Sequence, residues 1–358
     1  MDFGRRNGAA ARPCVARNGP KSIRDVLKPD TGAPLSTGSI GGYAESRAFE
    51  DFRTGRLRAS APEHRTEVTV ASMKRTLKLK LLISAVSTAL LPLHAATLRP
   101  ETLQAWNDYV AAAEARMQAR IHGSAPFLWA SESDLRLRHL RAGEIIAIPM
   151  SNKAPVKVHG GLIHDWLGAA YLPAVKLSDV VAVAQDYGRY KEFYRPMVVE
   201  STLESSTTES SDSVFHFSLL MVNNSLFARR ALESHWEESY VQIDADRIVS
   251  TAHSISIREI EGYGSAEQRM LPENEGSGYL WRMYAISRLE QCDDGVYSEL
   301  EVLALSRDIP AGLRWVVDPI IRRVSRGSLV TSLHETRAAV QAFTGNPPAT
   351  AQLSPAVR

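Results

Sequence analysis

Apolar positions recur along this chain with two different periods, and the period changes near residue 196. Residues 100–121 carry apolar side chains at helical spacing, at Leu103, Trp106, Val110, Ala113 and Met117. Pro100 opens the segment, where a missing N–H costs little, and Gly123 follows its end. The pattern predicts an amphipathic helix.

The next stretch predicts one strand and one further helix. The segment GLIHDWLGAAYLP (161–173) predicts a strand that Pro173 closes. KLSDVVAVAQDYGRYKEFY (176–194) predicts a helix with Ser178 as its N-cap. The connection over 122–150 is less regular and holds a short basic stretch (LRLRHLRAGE) and the apolar IIAIP.

After Pro196 the chain becomes rich in β-type segments separated by turn residues. They are MVVESTLE, SVFHFSLLMV, ALESHWEESYVQI, RIVSTAHSISIREI, GYLWRMYAISRLEQ and VYSELEVLALSRDI. Consecutive antiparallel strands are the simplest topology for this run. Residues 311–343 return to a helical pattern with one apolar stripe, made of Leu329, Leu333, Thr336 and Val340. The predicted fold class is α+β, an antiparallel sheet with helices against one face.

The last two strands predict a hairpin with two unlike faces. With Asp294-Gly295 as the turn, Arg288 lies opposite Glu301. One face is charged and carries Arg282, Tyr284, Arg288, Glu290, Glu299, Glu301 and Arg307. The other is apolar or small and carries Trp281, Met283, Ala285, Ser287, Leu289, Leu300, Val302, Ala304 and Ser306.

The two faces are expected to differ in their exposure to solvent. The charged face is expected to be a solvated outer surface. The second face needs a cover, and its small side chains would leave a hollow beneath the C-terminal helix. The alternative is that larger side chains of that helix fill the hollow, since protein interiors are close-packed.

Residues 73–95 have the order of a secretory signal peptide. A basic stretch from Met73 precedes an uncharged run of about 13 residues, too short to cross a membrane, and Ala95 and Ala96 follow as a cleavage site. A buried core helix is the alternative. Residues 1–72 are rich in Gly, Ala, Arg, Ser and Pro and lack apolar periodicity. We expect that translation begins at Met73, and the alternative is that residues 1–72 form a disordered leader.

Charge and motifs exclude several classes of protein. Residues 1–95 hold 16 of the 42 basic and 8 of the 40 acidic residues, so the remainder carries 26 and 32, a net charge of −6. This acidic balance argues against a nucleic-acid partner. The chain has no nucleophile elbow, phosphate loop or H-E-x-x-H pattern, and a single cysteine outside the leader, Cys292, can form neither an internal disulfide nor a cysteine zinc site. No metal or cofactor is predicted.

Three polar residues on apolar segments are candidates for buried anchors. His216 lies between Phe215 and Phe217, and alternation favours an outward direction for it. His164 and Asp165 are neighbours on one strand, so their side chains point to opposite faces and one of them is a candidate polar anchor in the hollow.

Residues 156–343 resemble the START-like (SRPBCC) superfamily, the helix-grip fold. The resemblance is carried by GGLIHDWLGAAYLP, QDYGRYKEFYRP, GYLWRMYAISRLE and GVYSELEVLALSRDIPAGLRWVVDPI, and the Asp-Tyr-x-x-Tyr pattern is similar to that of polyketide-cyclase and coenzyme-Q-binding members. It implies a curved antiparallel sheet around a long C-terminal helix. It also implies a ligand cavity lined by Trp281, Met283, Ala285, Ser287, Leu300, Val302, Ala304, Leu329 and Leu333.

These observations predict an organisation and a function. We expect a leader at 1–72, a signal peptide at 73–95, an N-terminal helix and connection at 96–155, a START-like domain at 156–343 and a flexible tail at 344–358. The expected function is an exported, periplasmic or secreted protein that binds a hydrophobic small molecule, with transient membrane contact compatible with it. The alternatives are a cyclase- or hydratase-type enzyme that uses the same cavity and a filled-core domain that acts through its surface. The oligomeric state stays open.

Overall fold

The computed structural model describes residues 96–152, 154–209, 212–224 and 229–345. The expected leader, signal peptide and nearly all of the expected tail lie outside the described residues. Among the helices that are described, none is both long and apolar enough to span a bilayer.

Within these ranges the chain forms five α-helices and twelve strands. The helices are α1 (Pro100–Ile121), α2 (Asp134–Arg141), α3 (Leu177–Ala184), α4 (Tyr190–Phe193) and α5 (Arg314–Gly345). The strands are β1 (Ala96–Thr97), β2 (Ile146–Pro149), β3 (Val156–Val158), β4 (Gly161–Pro173), β5 (Val198–Glu209), β6 (Asp212–Asn224), β7 (Arg229–Gln242), β8 (Arg247–Glu261), β9 (Arg269–Met270), β10 (Glu275–Gly276), β11 (Arg282–Cys292) and β12 (Gly295–Arg307).

The long strands form one antiparallel sheet. Its order is β2-β4-β12-β11-β8-β7-β6-β5, with β3 beside β4 and β9 beside β8, while β1 pairs with β10. The first helix, the strand 161–173 and the run of six strands all lie where the sequence predicts them. The less regular connection contains α2 and β2.

The predicted helix over 176–194 is broken into pieces. It begins at Leu177, where the Asp179 carboxylate accepts the N–H of Lys176 at 2.9 Å, so the predicted Ser178 cap is wrong. It ends at Ala184, because Asp186 leaves the helical region (φ −86°, ψ 59°) and a short 3₁₀ turn precedes α4. The break turns Tyr187 inward, where it is fully buried and stacks on Phe217 with ring centroids 4.2 Å apart.

The hairpin of β11 and β12 turns one residue earlier than predicted. Cys292 pairs with Gly295, so the turn is Asp293-Asp294 and Arg288 lies opposite Glu299. Gly295 belongs to the strand because it runs close to β4, where a side chain at this position would overlap the carbonyl oxygen of Leu172 at 2.2 Å. The shift involves one residue on each strand, so the membership of the two faces is unchanged.

Helices cover both faces of the sheet, and the prediction of helices against one face is wrong. We call the side carrying Asp165, Arg288 and Glu301 the α1 face, because α1 and the segment around Trp129 pack on it. The opposite side, which carries Trp166 and faces α5, is called the grip face.

The charged side of the hairpin is buried on the α1 face, which corrects the expectation of a solvated surface. Arg288, Glu299 and Glu301 are only 2%, 1% and 2% exposed. Glu299 accepts the backbone N–H groups of Trp129 (3.1 Å) and Ala130 (2.8 Å). Arg288 contacts both carboxylates, at 3.2 and 3.7 Å. Buried charges persist when they are paired and hydrogen-bonded in this way.

Candidate ligand-binding trough on the grip face

The C-terminal half of α5 is seated on β4 at Gly168. A side chain added at Gly168 would lie 2.6 Å from Leu333 Cδ1 and 2.9 Å from Leu329 Cγ, so the glycine permits close approach of the helix. Leu329 and Leu333 are buried there in one cluster with Trp166 and Ala170. The helix therefore forms a wall on the β4 side of the grip face.

The grip face between α5 and β7 is a floor of small and medium side chains. One cross-strand row runs through Trp166, Val302, Ala285, Ala252 and Glu238, on β4, β12, β11, β8 and β7 respectively. The next row runs in the same strand order through Gly168, Leu300, Ser287, Ser250 and Tyr240. We call the space above these two rows the trough.

Most of the predicted lining residues lie in the trough or next to it. Ala285, Ser287, Leu300 and Val302 belong to its two rows, and Met283 and Ala304 form the adjoining row. All six retain partial solvent exposure. They lie on β11 and β12, in the middle of the sheet, where side chains under a close-packed helix would be buried. Their partial exposure shows that solvent reaches this part of the grip face. Leu329 and Leu333 stand in the wall.

Trp281 lies elsewhere. It precedes β11, is 4% exposed, and packs in the core cluster that contains Trp106 of α1. The structure therefore places it with the α1 face and away from the other predicted lining residues.

The β7 end of the trough carries a polar cluster around Glu238. Its carboxylate accepts the hydroxyl of Ser250 at 2.8 Å and the hydroxyl of Tyr187 at 2.9 Å. Tyr240 adds a third hydroxyl, 3.4 Å from that of Tyr187. In the part of the chain that the structure describes, Glu238 forms no ion pair, and burial raises the pKa of its carboxyl.

Tyrosines of the broken helix link this end to α5. The hydroxyl of Tyr194 lies 3.0 Å from Thr336 Oγ1, and burial raises the pKa of Tyr194 to about 12. Tyr190 donates to the carbonyl oxygen of Ala184. These phenols remain protonated near neutral pH, so they act as hydrogen-bonding groups in a largely apolar enclosure.

The two candidate anchors on β4 point to opposite faces. His164 faces the grip side, with Nε2 2.9 Å from Ser306 Oγ, and desolvation lowers its pKa to about 4. Asp165 faces α1, where it accepts the hydroxyl of Tyr109 at 2.9 Å. Burial and the nearby Glu301 raise the pKa of Asp165 to about 7. Of the pair, His164 alone shares a face with the trough.

His216 points outward, as alternation predicts. Its Nε2 lies 3.1 Å from the Glu237 carboxylate, while Phe215 and Phe217 are buried on the other face. Neither His216 nor Glu237 takes part in the trough.

Glu238 and its hydrogen-bond partners were not predicted from the sequence as site residues. The signal is the alternation within ESHWEESYVQI, where Glu238 stands two residues from Trp236 and two from Tyr240. Large aromatic residues at this spacing predict a buried face, and a carboxylate between them is then a buried carboxylate. Tyr187 carried no comparable signal, because its inward direction depends on the break in the helix.

A second hollow, of about 370 Å³, lies between α1 and strands β8 and β11. Its lining includes Trp106, Val110, Glu114, His253, Arg282 and Tyr284, and Met283 borders it as well. The hydroxyl of Tyr284 donates to Glu114 across it at 2.8 Å. Because α1 forms one wall, this hollow lies on the other side of the sheet from α5.

Over the described ranges, no group of three or more His, Cys, Asp or Glu side chains is arranged to hold a metal ion.

Comparison with known proteins finds similar folds among solved structures only. No family model and no curated protein matches the sequence. A STAR-related lipid transfer protein fragment from Xanthomonas axonopodis is 16% identical over 52% of this chain and 96% of that one, with a TM-score of 0.35. Human STARD10 is 10% identical, with 60% and 81% covered and a TM-score of 0.33. The Zhui aromatase/cyclase from Streptomyces sp. R1128 is 10% identical, with 51% and 96% covered and a TM-score of 0.30.

At this level of similarity no residue role is transferred. The chain has a helix-grip fold by its own topology: a large antiparallel sheet holds a long C-terminal helix on one face.

Proposed function

We propose that this protein binds a hydrophobic small molecule, of the lipid, isoprenoid or quinone type, in the trough between the sheet and α5. The observation that carries the proposal is the partial exposure of six mid-sheet side chains beside a helix that is closely packed on β4. An unfilled, largely apolar space with a few polar groups at one end is the usual form of a small-molecule site.

The apolar surface that a ligand could bury in the trough is large enough to support binding. If a ligand buries roughly 400 Å² of apolar surface, the gain is on the order of 10 kcal/mol before the costs of association are subtracted. The same accessibility argues against the filled-core alternative, because a filled core would bury Ala285 and Ser287.

A second candidate function is acid–base catalysis in the same trough. The observation that favours it is Glu238, a carboxyl with a raised pKa that is hydrogen-bonded to Tyr187 and Ser250 inside the site. A carboxyl tuned towards neutral pH can serve as a general acid or base for a cyclisation or hydration. Turnover of a bound ligand would distinguish an enzyme from a carrier.

Export and transient membrane contact belong to the same proposal. The signal-peptide pattern at 73–95 supports export, and a lipid needs shielding in an aqueous compartment. The first half of α5 supports membrane contact, because Trp315 is 79% exposed and the exposed Arg322, Arg323 and Arg326 follow it. Exposed aromatic and basic side chains on one helix are typical of segments that contact anionic membranes.

The binding proposal is tested by native mass spectrometry of the full chain, expressed in a bacterial host and purified without detergent. We expect a co-purifying mass that is released on denaturation and identified by lipid extraction. Ser287→Leu, which fills the floor of the trough, should lose that mass. Ser218→Leu adds the same volume on the opposite face of the sheet and should keep it. An apo mass that takes up nothing from a mixed lipid and quinone panel would refute the binding proposal.

A further inference from the structure

The polar cluster lies within reach of any ligand that occupies the trough. Glu238 stands in the same cross-strand row as Val302 and Ala285, with only Ala252 between. Adjacent strands are about 4.8 Å apart, so Glu238 lies on the order of 10 Å from Ala285, well within the length of a lipid-like molecule. Glu238 retains partial exposure, whereas Tyr187 behind it has none.

The hydroxyl hydrogens of the cluster are already committed. Ser250 and Tyr187 each donate their single hydrogen to the Glu238 carboxylate. Tyr240 donates its hydrogen to the carbonyl oxygen of Ala184 at 3.4 Å. A carboxylate has about four lone-pair positions, so roughly two positions remain after the two donors. What the cluster offers a ligand is therefore an acceptor.

The charge of the cluster points the same way. Glu238 has no ion-pair partner among the described residues, so its ionised carboxylate lacks a countercharge. A carboxylate or phosphate on the ligand would place a second negative charge beside it in a medium of low dielectric constant. A hydroxyl or an ammonium group would instead supply the missing donor or countercharge.

We infer that the trough takes an amphipathic ligand whose polar end donates hydrogen bonds to Glu238, such as an alcohol, a phenol or a protonated amine, and that it disfavours ligands with an anionic end. The inference rests on the proposed binding function and specifies the ligand class for that site. His164 lies in a different row, opposite Ala304 on β12, and takes no part in this recognition.

The test compares head groups on one chain length. N-phenyl-1-naphthylamine, a neutral fluorescent probe, is bound to the full-chain protein and displaced by dodecylamine, 1-dodecanol or dodecanoate, each below its micellar concentration. We expect the amine and the alcohol to displace the probe at concentrations about tenfold lower than dodecanoate, a ratio that corresponds to one hydrogen-bonded contact.

Two variants of neighbouring residues sharpen the test. Glu238→Gln removes the charge and adds a donor, so the three head groups should converge to within about threefold or dodecanoate should become the best displacer. Glu237→Gln changes the adjacent residue, which points out of the opposite face towards His216, and should leave the wild-type order unchanged.

Each outcome has one meaning. If the probe fails to bind the wild type, the proposed function itself fails. If the probe binds but dodecanoate displaces it as well as the others do, or the order survives in a folded Glu238→Gln protein, the head-group inference is overturned while binding stands. If Glu238→Gln does not fold, the wild-type order alone decides, and an anion in first place overturns the inference.

Discussion

The two faces of the β11–β12 hairpin are built from alternating residues of the same strands, yet they differ in the side chains they carry and in how deeply these are buried. On the α1 face, large charged side chains (Arg288, Glu299) are buried and paired. On the grip face, the residues between them (Ser287, Leu300) are smaller or uncharged and remain partly open. A second layer of protein closes the α1 face, whereas the grip face is partly open, and we propose that the ligand binds there. The comparison teaches that the charged face of a hairpin can be the buried, structural one.

The difference has an energetic reason. The buried charges of Arg288, Glu299 and Glu301 are held by partners that replace their lost water, so removing one partner leaves an uncompensated charge in the interior. On the grip face, Ser287 and its five lining neighbours are uncharged and only partly buried, so a substitution among them should cost less.

The largest effect is expected from Arg288→Met. The substitution keeps much of the side-chain length but leaves Glu299 and Glu301 without their shared cation, and the loss of stability should be about 3–5 kcal/mol. Urea unfolding followed by circular dichroism measures it. As a control, Arg258→Met removes a partly exposed ion pair with Glu233 and should cost about 0–1 kcal/mol. Equal losses in the two variants would show that the α1 face does not depend on its buried charges.

A smaller effect, with a sign that depends on pH, is expected from Asp165→Asn. The pKa of Asp165 is raised to about 7 in the folded protein, against 3.8 as its ordinary value. The folded state therefore binds this proton more tightly, and its contribution to stability is full below pH 4 and falls as the pH rises towards 7. Asn mimics the protonated acid, so the variant should gain on the wild type over this range, by up to about 4 kcal/mol.

The control for this pH effect is a carboxyl with the opposite shift. Hydrogen bonds from Arg141 lower the pKa of Asp294, so its contribution is lost as the pH falls, and Asp294→Asn should not gain on the wild type as the pH rises. His164 also titrates with the opposite sign, since its lowered pKa makes stability rise with pH between about 4 and 6.5. The His164 contribution is common to the wild type and both variants, so it cancels when their free energies of unfolding are subtracted. Urea unfolding at pH 4, 5, 6 and 7 measures these differences. A pH-independent difference for Asp165→Asn would contradict the raised pKa.

The sequence carries most of the fold, because the fold depends on local periodicity. Period two in ALESHWEESYVQI and the helical stripe from Leu329 to Val340 are properties of neighbouring residues, and both elements lie where they are predicted. The predicted hairpin turn is wrong by one residue, yet every residue lies on the face predicted for it, because a shift of one residue on each strand preserves the faces. The face on which Ala285, Ser287 and Val302 lie follows from that membership, while their role as cavity lining was implied by the resemblance to the helix-grip fold.

What the sequence could not supply were the contacts made between layers. Alternation separates Arg288 from Ser287, but it does not say whether the charged side meets water or a second layer of protein. The cover comes from α1 and the backbone at Trp129, about 170 residues away along the chain. The inward turn of Tyr187 similarly depends on a non-helical Asp186, and without it the polar cluster around Glu238 lacks one of its donors.

The smallest effect on stability is expected where the effect on binding is largest. Ser287→Leu adds apolar volume to the floor between Leu300 and Ser250. The added atoms are expected to enter the trough without displacing packed atoms. The free energy of unfolding should change by less than about 1.5 kcal/mol in either direction, within the range of tolerated core substitutions. Urea unfolding of the ligand-free protein measures it, with Ser218→Leu as the control. A loss of about 3 kcal/mol, as overpacking causes, would mean that the floor is already filled. The grip face would then be as closed as the α1 face.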